Sequence, residues 1–192
     1  MKYLKLSDVA EIRFCSVTPT RMKTQQEQTS WLSCSNFICD NEIVGNPTMT
    51  NFVPDDNFAV RPNDIVIKRI APSYVNYISD IEDDMFAGNN LVVLTVREGT
   101  DAKYLAMMLN EKISSISESS SIGAVMKSIS RPDLEKIKIP ILPYKKQSQL
   151  GAAWFLNIEL KKMKNRLVEL ESIKNTHELT RYIDLSGGKN NG

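Results

Sequence analysis

The chain has 192 residues, with 24 Lys+Arg against 23 Asp+Glu and a hydrophobic fraction of 42%. That length suits one domain, or one domain with an appended element. A chain of this size buries about 70% of the surface its unfolded form exposes, so it needs no disulfide or metal staple. Eight Gly and eight Pro exclude collagen-like and low-complexity character.

No apolar run approaches the ~18 residues a membrane span requires. Asp8 and Glu11 interrupt the opening MKYLKLSDVAEIRF before a signal-peptide core can form. The three cysteines, Cys15, Cys34 and Cys39, are odd in number and form no C-x-x-C pair. A reduced, cytoplasmic location is expected, with the cysteines as small buried hydrophobes. Charge is uneven along the chain: residues 1–140 hold 15 Lys/Arg and 18 Asp/Glu, whereas residues 141–192 hold 9 and 5. Any nucleic-acid contact must then come from local patches and not from a global field.

In chain order, Lys5 to Phe14 reads as a short helix or turn leading into a strand. Trp31 to Cys34 is a strand candidate followed by a turn at Ser35-Asn36. Gly45-Asn46-Pro47 is a turn, because Gly supplies positive φ and Pro biases its predecessor away from the helical region. Arg61-Pro62-Asn63-Asp64 is another, running into the strand Ile65–Ile70. Asn90 to Val96 is apolar enough to be buried on both faces. Asp101 to Glu118 is a helix, with Tyr104, Leu105, Met108, Leu109, Ile113 and Ile116 at helical spacing and a start signal in Gly99-Thr100-Asp101. A small-residue loop surrounds Gly123. Ser130 then caps a short turn with Pro132 in its first positions. Lys136 to Ile141 alternates strictly, and Pro140 makes it an edge strand or a strand ending.

After Tyr144 the pattern becomes helical. Ala153, Leu156, Leu160, Met163, Leu167 and Leu170 step by 3, 4, 3, 4 and 3, a heptad seam over about three repeats. Lys174 and His177 take the next seam positions, so the apolar stripe fades. A helix from about Lys146 to Tyr182 would be roughly 55 Å long. Its narrow seam needs a partner helix from its own domain, a second copy or another protein. The architecture expected is thus α/β (α+β): a mixed β-rich domain over 1–143, one long coiled-coil-type helix over 144–183, and a disordered tail over 184–192.

Catalytic signatures are thin. His177, the one histidine, has no carboxylate three or four residues away. No P-loop, G-x-S-x-G or metal-ligand cluster is present, and neither a metal nor a cofactor is expected. Asn46-Pro47-Thr48-Met49 matches only half of the adenine-methyltransferase Asn-Pro-Pro-aromatic signature. Glu159 and Lys161 cannot complete a nuclease carboxylate–lysine set with Asp133, because residues i and i+2 of a helix diverge by ~200°. What remains suits nucleic-acid recognition. Basic residues pair up as Arg21 with Lys23, Lys68 with Arg69, Lys127 with Arg131, and Lys145 with Lys146. Groups able to read base edges lie nearby: Gln25, Gln26, Gln28, Asn36, Tyr74, Asn76 and Tyr77.

Several segments together resemble a known family. KLSDVAEIRF, RPNDIVIKRIAPSYVNYI, NNLVVLTV, KYLAMMLNE and above all GAVMKSISRPDLEKIKIPILPYKKQSQLGAAWFLNIELKKMKNRL look like the DNA-specificity subunit of type I restriction–modification systems. The resemblance runs from residue 4 to about 178. It implies a target-recognition domain that reads one half of a bipartite double-stranded DNA site, followed by a spacer helix. It also implies a subunit without catalytic activity that holds the methyltransferase (modification) subunit and, through it, the restriction subunit. Phe14-Cys15-Ser16 and Asn63-Asp64 stand where the family often has Gly and Gly-Asp; Asn also tolerates left-handed φ. A full subunit of the family has two such units and this chain has one, which predicts a half-subunit that pairs with its own copy through Leu156, Leu160, Met163, Leu167 and Leu170. Two-fold pairing would place half-site centres about 35–55 Å apart, or about 10–16 base pairs. On this reading Arg21, Lys23, Lys68, Arg69, Tyr74, Lys127 and Arg131 are the expected DNA contacts. The alternative is a protein-interaction module or exchangeable cassette that binds no DNA.

Overall fold

The computed structural model describes residues 2–17, 29–50, 56–81, 85–119 and 128–187. By internal contacts the chain forms two units, Met1–Trp154 and Phe155–Gly192. In chain order the first unit begins β1 (Lys2–Lys5), α1 (Leu6–Val9), β2 (Ala10–Phe14), β3 (Thr29–Leu32), β4 (Phe37–Cys39) and β5 (Glu42–Ile43). It continues with β6 (Thr48–Thr50), β7 (Ala59–Val60), β8 (Ile65–Lys68), β9 (Tyr74–Tyr77), β10 (Met85–Ala87) and β11 (Leu91–Val96). Then come α2 (Ala102–Ser119), α3 (Arg131–Glu135), β12 (Lys138–Ile141) and the long α4 (Tyr144–Gly187).

The main sheet has the order β2-β11-β8-β9, antiparallel throughout. The apolar run 91–96 takes an inner position because both its faces are covered: Leu91, Val92, Val93 and Leu94 are fully buried. Asn63 adopts φ +71 in the turn before β8, as the left-handed tolerance of Asn allows. A second sheet, β6-β3-β10-β7, contains one parallel pair, β3 with β10. Cys15, Leu32, Phe37, Val60, Val66, Ala87, Leu91 and Val93 form a single buried cluster contributed by strands of both sheets. Trp31 and Phe86 add a tilted aromatic pair at 5.7 Å. Of the cysteines, only Cys15 is buried; Cys34 and Cys39 are half-buried, and the Cys39 thiol donates to Glu42 Oε2 at 3.0 Å. Burial pushes the Cys15 thiol up to about 12, against the pull of Arg13.

The hairpin β4–β5 seals the outer edge of β9. Asp40 Oδ1 accepts the Val75 N–H at 2.7 Å, and Asn41 Oδ1 accepts the Tyr77 N–H at 3.0 Å. Asn41, at φ +57, returns its own N–H to the Val75 carbonyl. Side chains thus stand in for a further strand. On the helical side, Asp101 caps α2 by accepting the Tyr104 N–H, and α2 packs Tyr104, Leu105, Leu109 and Ile113 inward with β9 as its neighbour. Ser130 caps α3, with Pro132 in the first turn and Asp133 returning to the Ser130 N–H. β12 pairs antiparallel with β1, placing Pro140 opposite Tyr3; Ile137 and Ile139 face inward and Lys138 outward.

The first turns of α4 are pinned by two residues one turn apart. Gln147, buried, accepts the Asp101 N–H and donates to the carbonyls of Gly99 and Leu142. Gly151 lets the α2 backbone approach so closely that a Cβ there would lie 2.5 Å from the Tyr104 nitrogen. The helix holds 44 residues, ~66 Å at 1.5 Å per residue. Residues 184–187, expected in the tail, instead continue the helix, since neither Pro nor Gly occurs between Gly151 and Gly187. Beyond Phe155 the seam residues Leu156, Leu160, Met163, Leu167 and Leu170 are 47–62% exposed. The flanks carry the ion pairs Glu159–Lys162, Arg166–Glu169 and Lys174–Glu178.

Candidate nucleic-acid interface

Lys68 ends β8 and Tyr74 begins β9, and the antiparallel register sets them directly opposite one another. Their side chains therefore share a face, with Lys68 Nζ 5.2 Å from the Tyr74 ring centroid. Nζ also donates to the Phe37 carbonyl at 3.3 Å. Arg69 is held by its backbone: its N–H goes to the Asn90 carbonyl, and its own carbonyl accepts from Ile129 N and Ser73 Oγ. Its guanidinium carbon lies 5.5 Å from the Phe14 centroid, and Nη2 donates to Ser128 Oγ at 3.3 Å. Arg131, at the start of α3, reaches the same ring at 4.5 Å, donates to the Ile12 carbonyl and pairs with Glu135 at 3.5 Å.

Four of the expected contacts, Lys68, Arg69, Tyr74 and Arg131, are thereby organised around two aromatic rings, Phe14 at the end of β2 and Tyr74 at the start of β9. The Cys34 thiol reports the same field: burial raises its pKa, while the positive charges of Lys68 and Arg69 pull it down. Arg21, Lys23, Lys127, Gln25, Gln26 and Gln28 lie outside the described residues. Lys145 and Lys146 are exposed on the first turn of α4.

Three residues named as base readers are committed elsewhere. Asn36 is buried, its Oδ1 accepting the Ser33 N–H and its Nδ2 donating to the Val44 carbonyl, so it builds the turn before β4. Asn76 is 1% exposed in β9 and presents nothing to solvent. The Tyr77 hydroxyl donates to Asn63 Oδ1 at 2.7 Å. Their polar character suggested surface positions, but β9 is enclosed by β8, the 40–41 hairpin and α2.

Two features went unread in the sequence. Phe14 is the platform for both guanidiniums; its place at the strand end, beside an arginine-rich patch remote in sequence, carries no local signal. Arg13, one residue earlier, turns inward. Asp64 Oδ2 accepts from Arg13 Nη2 at 3.0 Å and from the Arg61 N–H at 2.9 Å, while Oδ1 accepts from Thr95 Oγ1 at 2.8 Å. Arg13 Nη1 also donates to the Ala59 carbonyl at 2.8 Å. Asp64 thus explains the acidic residue that precedes the I-V-I strand: it locks the turn to β2 and β11. Elsewhere a cavity of about 560 Å³ opens beside the start of α2, lined by Asn63, Tyr77, Asp101 and Tyr144 among others. Asp101 caps α2, and the Tyr77 hydroxyl is bonded to Asn63, so these groups are internally engaged.

Among the described residues no group of three or more His, Cys, Asp or Glu is placed to hold a metal ion, and no helix is long and apolar enough to cross a membrane. No curated protein sequence matches the chain. Three solved structures are similar in fold. One, described as showing complex assembly and conformational transition of the type I R-M system, superposes with a TM-score of 0.65 at 18% identity over 95% of this chain and 44% of its own. The HsdS subunit from Thermoanaerobacter tengcongensis gives 0.59 at 18% identity, over 83% of this chain and 37% of its own. The type I restriction–modification S subunit from M. genitalium gives 0.58 at 14% identity, over 91% and 44%. The chain therefore spans less than half the length of each of these relatives. The model of the type I restriction modification DNA specificity domain matches residues 1–172, and the chain belongs to that family.

Proposed function

We propose that the chain is a non-catalytic, sequence-specific DNA-recognition module of a cytoplasmic type I restriction–modification system. It is a half-subunit, with residues 1–143 as the recognition domain and α4 as the spacer. The observation that carries the reading is the gathering of Lys68, Arg69, Tyr74 and Arg131 on one part of a domain of this family. Cations seated on aromatic rings suit a polyanion with stacked bases better than they suit a neutral partner.

Self-pairing through α4 is part of this reading, and the exposed stripe of that helix supports it. The exposed leucine seam of α4 offers a self-complementary surface for a second helix, and a two-fold pair would turn one half-site into a gapped inverted repeat. The paired helices would dock the methyltransferase subunit and, through it, the restriction subunit.

Selection from random duplex DNA, followed by light scattering and anisotropy, tests the reading. The expected results are a mass near twice 21.7 kDa and a recovered site with two inverted halves whose centres are about 10–16 base pairs apart. Recovery of a contiguous or direct-repeat site would overturn self-pairing. Absence of any salt-dependent duplex binding would overturn DNA recognition and leave the protein-interaction reading.

A further inference from the structure

The cationic cluster contains two arrangements of different character. Lys68 and Tyr74 are a cross-strand pair on one face of the main sheet. Arg69 and Arg131 come from separate elements, yet their guanidinium carbons lie 5.5 and 4.5 Å from the centroid of a single ring, Phe14. The two carbons are therefore within about 10 Å of each other, the sum of those distances. Like charges held that close repel, and the fold offsets the repulsion on one side only: Arg131 has Glu135 at 3.5 Å, both about half exposed. Among the described residues Arg69 has no carboxylate partner; its guanidinium is given one hydrogen bond, to Ser128 Oγ, and its Nε is buried without an acceptor. A guanidinium has five N–H donors in a planar fork, so most of that capacity is unspent.

We propose that Arg69 and Arg131, seated together on Phe14, form one binding site for a backbone phosphate of DNA, which fixes the register of the domain on the duplex without reading its sequence. The proposal rests on the DNA-recognition reading and assigns a role within it. A phosphodiester offers two non-bridging oxygens that two guanidiniums can share, and its charge removes the repulsion between them. Both side chains are already ordered: Arg131 by the Ile12 carbonyl and Arg69 by Ser128, with the Arg69 backbone fixed on both its N–H and carbonyl sides. Little conformational entropy is then lost on binding. Side chains laid against a ring at a strand end are suited to a rigid phosphate contact, whereas base reading asks for a fork extended into a groove.

The test uses the full chain and a duplex recovered by selection, alongside a duplex with scrambled half-sites. Binding is measured by anisotropy between about 50 and 200 mM salt. Arg69→Gln and, separately, the more exposed Arg131→Gln are expected to weaken binding to both duplexes by the same factor, about tenfold. Each should flatten the slope of log K against log salt by about 0.9, the value for one lost phosphate contact. Phe14→Leu keeps both charges and removes the platform, and should weaken both duplexes equally. Loss confined to the selected duplex would make the arginines base readers and overturn the proposal. An unchanged salt slope, with only a lower melting temperature, would reduce them to packing groups and overturn it as well. If the wild type binds the selected duplex and the variants match it, the phosphate site alone falls. If the wild type binds no duplex at all, the DNA-recognition reading falls with it.

Discussion

Leucine behaves in opposite ways in the two units of this molecule. In the first, Leu6, Leu32, Leu91, Leu94, Leu105 and Leu109 are completely buried. In the second, Leu156, Leu160, Leu167 and Leu170 stand about half exposed along one stripe of α4. Buried apolar surface contributes roughly 25 cal/mol per Å², so the first unit carries its own reason to fold. The distal helix relies on propensity and on flanking ion pairs such as Arg166–Glu169, each worth about 0.3–0.5 kcal/mol. Regularly spaced leucines without cover cost solubility and add to an isolated helix only their propensity and weak contacts between successive turns. Their use lies in what they meet, whereas those of the domain are used up within it.

The largest break in that self-sufficiency is expected at a charge. Asp64→Ala leaves Arg13 buried without its partner, along with an unaccepted Arg61 N–H and Thr95 hydroxyl. Removing one member of a buried pair typically costs 3–5 kcal/mol, so urea unfolding should show a loss of about 4 kcal/mol. A loss below about 1 kcal/mol would mean that water or another donor group replaces the carboxylate.

Leucines test the comparison directly. Leu94→Ala removes a side chain with no exposure and should cost about 2–5 kcal/mol. Leu160→Ala, half exposed, should leave the unfolding free energy of a dilute, monomeric sample within about 0.5 kcal/mol of wild type. Replacing Leu160 and Leu167 together by Asp should leave the domain folded by circular dichroism while abolishing the proposed self-pairing and weakening binding to a full-length bipartite site. A double variant that remains dimeric would move the pairing surface off this stripe.

These contrasts bear on how far the sequence could be read. The continuous apolar run 91–96 announced a doubly covered strand, the Asp101 cap announced α2, and the shift of periodicity after Pro143 announced α4 at Tyr144. Each signal is local and spans a turn or more. Strands β4, β5, β6, β7 and β10 hold two or three residues each, too few for any period, and β6, β7 and β10 pair with chain segments about twenty or more residues away. The pairing of β1 with β12 likewise joins the two ends of the domain. At the candidate interface the cations were visible as a composition, but their allocation was not. Arg13 and Arg69 look alike in sequence, and only the fold turns one toward Asp64 and the other toward Phe14. Asn36 and Asn76 are buried although amides are mostly exposed; the turn at Ser35-Asn36 is legible in the sequence, but nothing local shows that its Asn points inward or that β9 is enclosed.

The junction at the start of α4 supplies a smaller effect. In Gly151→Ala the new Cβ would meet the Tyr104 nitrogen and, at 2.9 Å, the Lys103 carbonyl carbon, both backbone atoms that cannot swing aside. Overpacking of this kind costs about 1–3 kcal/mol. The expected result is a lower unfolding midpoint, matched in size by Gln147→Leu, which strands the Asp101 N–H and two carbonyls. Ala at a solvent-facing position of the distal helix, such as Asn175, should by contrast be neutral or slightly stabilising.

A smaller effect again belongs to the α3 cap, and it depends on pH. Ser130→Ala removes the hydroxyl that bonds Asp133 and its backbone N–H, a loss of about 1 kcal/mol at neutral pH. Hydrogen bonds from Ser130, side chain first and backbone second, hold the Asp133 carboxyl below the usual carboxylate range. A lowered native pKa means that the ionised form is favoured by folding, so this contribution is fully present above the ordinary aspartate value of about 3.9 and is lost as pH falls through the lowered one. The stability gap between wild type and Ser130→Ala should therefore be constant from neutral pH down to about 4 and narrow below it. A gap that keeps its full size in acid would assign the cap to the Ser130 hydroxyl on the backbone alone, with the carboxylate a bystander.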